Sequence, residues 1–307
     1  MNCKFQACLP TLLAVLIALS AAASRAAPIT DFRTYRNTAA TTLSGQGTDS
    51  PVVGNLSGSQ ASGSFTIGYL ATPAVLGGNA GDSITFSFGV SFNDAVGMVN
   101  SGDNFRFALF DLNGEVQDSA TGGVSSGPNY DAAGTENTDD FRGYILGVKN
   151  GTGTGSGGSI RERIAPLASA NNAFATTGVN EASAPSLGPP VGGDSVTLVS
   201  DVNGNGAGAD YTGVLTLTRN ALGLIDLSGS FIGSNAATGN LFSASDLTPN
   251  LSSTYGAIGF LSGGPLNVDQ VLFQNLDVTA TAIPEPATWL LGLASLLGGS
   301  LIRRRYA

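Results

Sequence analysis

The pattern Asp201-x-Asn203-x-Asn205-Gly206, with Asp210 close behind, sets side-chain oxygens at alternate positions around a glycine. That spacing matches the first half of an EF-hand-like calcium loop, where alternate residues turn oxygens onto one ion and glycine permits the turn. Thr212 stands where the bidentate Glu at the twelfth position belongs. Asp, Asn and Gly are also turn formers in their own right. A plain connection between two strands therefore accounts for the segment better, with calcium as the alternative. Asp111-Leu112-Asn113-Gly114-Glu115 has the same character, and its Asn-Gly pair predicts a two-residue hairpin. In Asp139-Asp140-Phe141-Arg142-Gly143-Tyr144, carboxylates, a guanidinium and a ring lie close together. Asp140, Arg142 and Tyr144 are the candidate glycan-binding set: the ring to stack on a sugar, the charged groups to bond hydroxyls. Glycoside hydrolysis needs two carboxylates ~5–10 Å apart, and Asp139, Asp140, Glu136 or Glu162 would have to supply them. Strand alternation sends Asp139 and Asp140 to opposite faces, so no catalytic residue is assigned. An ordinary Asp140–Arg142 surface pair is the plainer reading, and Arg161-Glu162-Arg163 reads as a solvated strand edge.

The elements that position these groups must do so without two common devices. Histidine is absent from all 307 residues, which removes Ser-His-Asp and Cys-His nucleophile systems and the commonest neutral metal ligand. The only cysteines are Cys3 and Cys8, inside a segment that reads as cleavable. The mature chain would then hold no disulfide and no zinc–sulfur site, and no cofactor is assigned. Between residues 27 and 283 there are eight Lys/Arg against 21 Asp/Glu, a net of −13. A body so acidic repels nucleic acid, which is excluded as a partner, and anionic membrane surfaces.

Both extremities read as addresses. Lys4, the apolar run Leu12–Leu19 and the small residues through Ala26 follow the order of a secretory signal peptide, cut after Ala26 or alternatively Ala23. At the other end Pro284-Glu285-Pro286 precedes an apolar stretch from Ala287 to Ile302, then Arg303, Arg304 and Arg305. As a helix that stretch is about 24 Å long, a thin span. Trp289 suits one membrane interface and the arginines the cytoplasmic side. This order and spacing resembles the PEP-CTERM sorting signal of Gram-negative bacteria. The resemblance covers about the last 25 residues. It implies recognition by an exosortase and cleavage near the motif in an exopolysaccharide-producing, biofilm-forming cell. Signal peptidase would be the other export partner, and the membrane a transient one.

Between these ends the chain alternates with period two. Ile84, Phe86, Phe88, Val90 and Phe92 point one way, and Ser83, Thr85, Ser87, Gly89 and Ser91 the other. Further strands are expected at Ser64–Leu70, Asn104–Leu112, Phe141–Lys149, Ser195–Ser200, Thr212–Thr218, Leu222–Ile232, Tyr255–Leu261 and Gln270–Thr279. With 43 glycines serving many turns, the expected fold is all-β. It is a single antiparallel sandwich of the jelly-roll, concanavalin-like kind, flanked by an N-terminal signal helix and a C-terminal hydrophobic helix. The domains are then 1–26 signal peptide, 27–280 sandwich, 281–286 linker, 287–302 hydrophobic helix and 303–307 basic tail. The expected function is a non-enzymatic exported protein of the cell surface or exopolysaccharide matrix. A lectin-like carbohydrate-binding module is the alternative, and a polysaccharide hydrolase the third. Intact mass of protein recovered from culture is expected to lack residues 1–26 and the tail beyond the Pro-Glu-Pro motif; a full-length mass would remove both processing steps.

Overall fold

The computed structural model describes residues 23–25, 29–36, 42–45, 47–54, 64–93, 105–113, 123–126, 141–148, 159–163, 174, 186–188, 190–192, 210–233, 240–247, 253–262 and 268–283. Within them the chain is all strand and turn. In chain order the strands are β1 (Ala23–Arg25), β2 (Ile29–Arg36), β3 (Thr42–Ser44), β4 (Val52–Gly54), β5 (Ser64–Val75) and β6 (Ser83–Asn93). They continue with β7 (Phe105–Asp111), β8 (Gly123–Ser126), β9 (Arg142–Gly147), β10 (Ser159–Arg163), β11 (Ser186–Gly188) and β12 (Pro190–Gly192). The last are β13 (Tyr211–Arg219), β14 (Ile225–Gly233), β15 (Asn240–Asp246), β16 (Thr254–Ser262) and β17 (Gln270–Thr281).

Two sheets result. Sheet A runs β12-β15-β14-β13-β6-β17-β4-β3, with β1 also paired to β17, and sheet B runs β11-β10-β9-β7-β16-β5-β2-β8. All pairings are antiparallel except β2 with β8. The strands expected from alternation are present with ends shifted by a few residues; Ser195–Ser200 lies outside the described residues. Repeated crossings from one sheet to the other bring β6 and β7, and β16 and β17, onto opposite layers, as a jelly roll requires.

Phenylalanine holds the layers together. Phe86 and Phe88 of sheet A meet Phe107 and Phe260 of sheet B, with Phe88 at 4.9 Å from each in edge-to-face contact. Phe105, Phe231 and Phe273 extend the same cluster. The packing requires a glycine on the neighbouring strand: Gly213 lies opposite Phe88 in register, and a Cβ there would come within 2.2 Å of its ring. A gap beside this cluster, lined by Val53, Thr66, Phe105, Phe260, Val271 and Phe273, is about 10 Å³, room for one water at most.

The sheets differ in their outward faces. Sheet A is wet there over much of its area, which is why β13 and the first half of β6 alternate, although Gly89 and Ser91 at the far end of β6 are buried. Sheet B is covered: Phe65, Ile67, Tyr69, Phe110, Ile145 and Ala257 form a second buried cluster on its far side. Phe174 caps it, ring to ring with Phe110 at 5.4 Å, and Arg106 Nη1 donates to the Phe174 carbonyl at 3.0 Å. The unbroken apolar triplets Ala108-Leu109-Phe110 and Tyr144-Ile145-Leu146 are the sequence mark of that double burial. Phe88→Ala is expected to cost about 3–5 kcal/mol in urea unfolding. Gly213→Ala is expected to cost about 1–3 kcal/mol, and less when Phe88→Leu makes room for the added methyl.

Candidate functional site

The wet face of sheet A carries the most ordered polar arrangement in the structure. The hairpin pairings β13–β14 and β14–β15 and the ladders β13–β6 and β6–β17 set small hydroxyl residues side by side. One row is Thr279, Thr85, Thr216, Ser228 and Ser243. The next is Thr281, Ser83, Thr218, Asp226 and Ser245, and a third begins Asp277, Ser87. Neighbours within a row are about 4.8 Å apart and successive rows about 7 Å apart, the strand spacing and twice the rise per residue. Thr85 and Thr216 touch hydroxyl to hydroxyl at 3.1 Å, and Ser245 donates to Asp226 at 2.8 Å. Ser228, Ser243 and Ser245 are exposed and the rest half-buried. Such a face offers donors and acceptors with little side-chain entropy to lose. The alternation of β6 made one column of it legible in the sequence; the rows arise only from register.

Beneath one end of this face lies a buried polar group joining the layers. Tyr144 of β9 is fully buried, and its hydroxyl donates to Asp246 Oδ2 of β15 at 2.8 Å, one sheet to the other. Tyr255 of β16 is equally buried, and its hydroxyl meets no hydrogen-bond partner among the described residues. Burial, above all, holds both phenols far above the usual tyrosine range. For Tyr144 the neighbouring Tyr255 and the bond to Asp246 add to it. For Tyr255 the Asp111 carboxylate adds to it and Arg219 opposes it. These phenols stay protonated, and Tyr144 acts as a donor to Asp246.

Several expectations are corrected here. Tyr144 does not offer its ring to a sugar, because strand alternation turns it into the inter-sheet core, where its exposure is 0%. Arg142 is half-buried, opposite Asp111 in register, and its Nε meets no partner among the described residues; Asp140 lies outside them. The Arg161-Glu162-Arg163 segment is not a solvated edge: β10 is flanked by β9 and β11, Glu162 and Arg163 are buried, and Arg163 Nε donates to the Phe141 carbonyl at 2.6 Å. Asn113 has the left-handed φ of +52° that a turn asks of it, and its N–H reaches Asp111 Oδ1 at 2.9 Å. No hairpin follows, since β7 pairs with β9 and β16 rather than with the next strand. Of the calcium set, Asp201, Asn203 and Asn205 fall outside the described residues. Asp210 stands at the mouth of β13, its N–H donating to Ser91 Oγ at 3.1 Å. Among the described residues no three His, Cys, Asp or Glu lie together as a metal-holding group, and no helix is long and apolar enough to cross a membrane.

The sorting motif at Pro284, Glu285 and Pro286, with Arg303 to Arg305, also lies outside, but the residue before it is held firmly. The Ile283 N–H donates to Asp82 Oδ1 at 2.6 Å, and Asn79 Nδ2 donates to the Ile283 carbonyl at 2.9 Å. Asp82 is buried and its second oxygen accepts the Asn79 N–H at 2.7 Å. Gly81, at φ +92°, turns the chain so that the Ile283 side chain rests on its Cα, where a Cβ would collide. At the other extremity β1 pairs with this same stretch, Ala23 opposite Thr281. A cut after Ala26 would remove β1; a cut after Ala23 would leave Ser24 and Arg25 on the domain.

No family model matches the chain, and neither does any curated protein. Solved structures share its architecture. The carbohydrate recognition domain of Emp47p is 12% identical over 86% of this chain and 97% of that one, with a TM-score of 0.40. Peanut lectin bound to a nonamer peptide is 12% identical over 86% and 99%, at 0.42. The VIP36 exoplasmic/lumenal domain, in its Ca2+/Man3GlcNAc-bound form, is 10% identical over 84% and 86%, at 0.40. The described chain is a two-sheet β-sandwich, antiparallel but for β2 with β8 and of jelly-roll connectivity, on its own strand order.

Tyr144→Phe strips Asp246 of a buried donor and is expected to cost about 1–3 kcal/mol; Tyr255→Phe, which removes a hydroxyl with no partner, is expected to be neutral or stabilising. Urea unfolding of the two variants distinguishes them. Because the folded pKa values are raised, their stabilising effect is complete below pH about 10 and falls as pH rises beyond it, where only the unfolded chain releases the protons. A phenolate absorbance titration should accordingly leave Tyr144 and Tyr255 un-ionised until unfolding.

Proposed function

We propose that this chain is an exported protein of the cell surface or extracellular matrix whose sandwich binds polysaccharide without cleaving it. The observation that carries the reading is the set of hydroxyl rows on the wet face of sheet A. A polysaccharide presents its own hydroxyls at regular intervals along an extended chain, and each Ser or Thr can donate to one and accept from another. A single exposed bond of this kind contributes little, about 0.5–1.5 kcal/mol, so affinity would rest on many contacts at once, as polymers allow. Three neighbours of similar fold are described as a carbohydrate recognition domain, a lectin and a mannose-bound domain, which is in keeping with this reading but does not carry it.

Delivery would follow from the terminal segments: signal peptidase at the N-terminus and an exosortase at Pro284-Glu285-Pro286, releasing the sandwich to the outer envelope. Hydrolysis is the poorer reading, since Glu162, one of the four acids available to it, is buried at 2% exposure. Calcium would act at the Asp201–Asp210 loop, in which case chelation lowers the melting temperature of the parent but not of Asp201→Ala.

The test is co-sedimentation with the producing strain's exopolysaccharide. Thr216→Arg with Ser228→Arg sets two long cations across the middle row and is expected to weaken binding at least tenfold, with the melting temperature within a few degrees of the parent. Undiminished binding by the folded variant would move the site elsewhere.

A further inference from the structure

The described residues expose five large aliphatic side chains, and four of them stand at one end of the sandwich. Leu222 is 81% exposed, Leu247 69%, Val75 55% and Ile283 43%. Strand register places them together. Leu222 tips the β13–β14 turn, Leu247 follows β15, Val75 ends β5, and Ile283 follows β17. The turns are tied to one another there: Gly81 N–H donates to the Arg219 carbonyl at 2.7 Å, and Asp82 and Asn79 hold Ile283. The fifth, Leu241, lies on the wet face near the other end of β15.

Nothing in the fold calls for a leucine at position 222. The turn is made by Asn220, whose Oδ1 accepts the N–H of Leu222 at 2.9 Å and of Leu224 at 3.0 Å, and by Gly223 at φ +77°. Turn tips favour Asn, Asp, Gly and Ser, yet here the tip carries an apolar side chain into solvent.

Both apolar extremities of the sequence join the sandwich at this same end. Ala23, just after Leu12–Leu19, pairs with Thr281, and only Pro284, Glu285 and Pro286 separate Ile283 from the apolar run beginning at Ala287. Those four steps span at most about 14 Å. A chain anchored through that run must therefore hold this end of the sandwich against the bilayer. We propose that the end bearing Leu222, Leu247, Val75 and Ile283 is a membrane-docking face that seats these side chains in the lipid interface. The acidic body does not oppose it locally. Asp82 turns its carboxylate to the Ile283 and Asn79 N–H groups, and Asp226 accepts from Asn220 and Ser245.

This rests on reading residues 287–302 as a membrane segment, and the test separates the two. The chain from residue 27 onward, which holds no native cysteine and lacks the apolar run Leu12–Leu19, is reconstituted into phosphatidylcholine vesicles containing doxyl-labelled lipid. A bimane probe sits on Leu222→Cys or, at the far end of β13, on Thr212→Cys. Flotation with the vesicles, together with at least threefold stronger quenching at 222 than at 212, is the expected result. Flotation with equal quenching overturns the docking face and leaves the membrane segment standing. Failure to float overturns both.

Discussion

The contact on which the rest depends is that between the rings of Phe88 and Phe86 on one sheet and Phe107 and Phe260 on the other. With its two cysteines confined to residues 3 and 8, the body has no covalent tie between its layers, so apolar burial must supply their cohesion. Aromatic rings do this well, since each buries a large area and settles into edge-to-face geometry. The arrangement holds only because Gly213 leaves room beside Phe88. One missing methyl on β13 thereby lets the Phe88 ring keep its place in the core.

From that contact the two outer faces diverge. Sheet A meets its partner with one face only, so its strands keep water on the other and fill it with Ser and Thr. Sheet B is pressed between the phenylalanine core and the second cluster under Phe174. Its polar residues must therefore find partners inside the protein. Tyr144 reaches Asp246 across the layers and Arg163 reaches the Phe141 carbonyl. Buried polar groups are tolerated when so matched, and the cross-layer bond also fixes the sheets in register against sliding. Among the described residues of sheet B the Tyr255 hydroxyl and Arg142 Nε are left unmatched.

The ends of the molecule are likewise unequal. Asp82 and Asn79 anchor the final described residue, so the sandwich and whatever follows it share a defined junction. That junction coincides with the end where apolar side chains are left in solvent. The polysaccharide-facing surface proposed for sheet A runs alongside it rather than over it, which would leave the wet face free while the end is seated.

The amino-acid sequence by itself determined the all-β class and the placement of most long strands, because alternation is a local property. Ile84 to Phe92 declares its buried side through period two alone. Only the tertiary structure decided that Tyr144 turns inward, that Glu162 and Arg163 are buried, and that Thr85, Thr216 and Ser228 share a row. Each of those outcomes is set by which strand lies beside which and what lies above them, and cross-strand register and layer order are non-local quantities that a single strand's pattern does not encode.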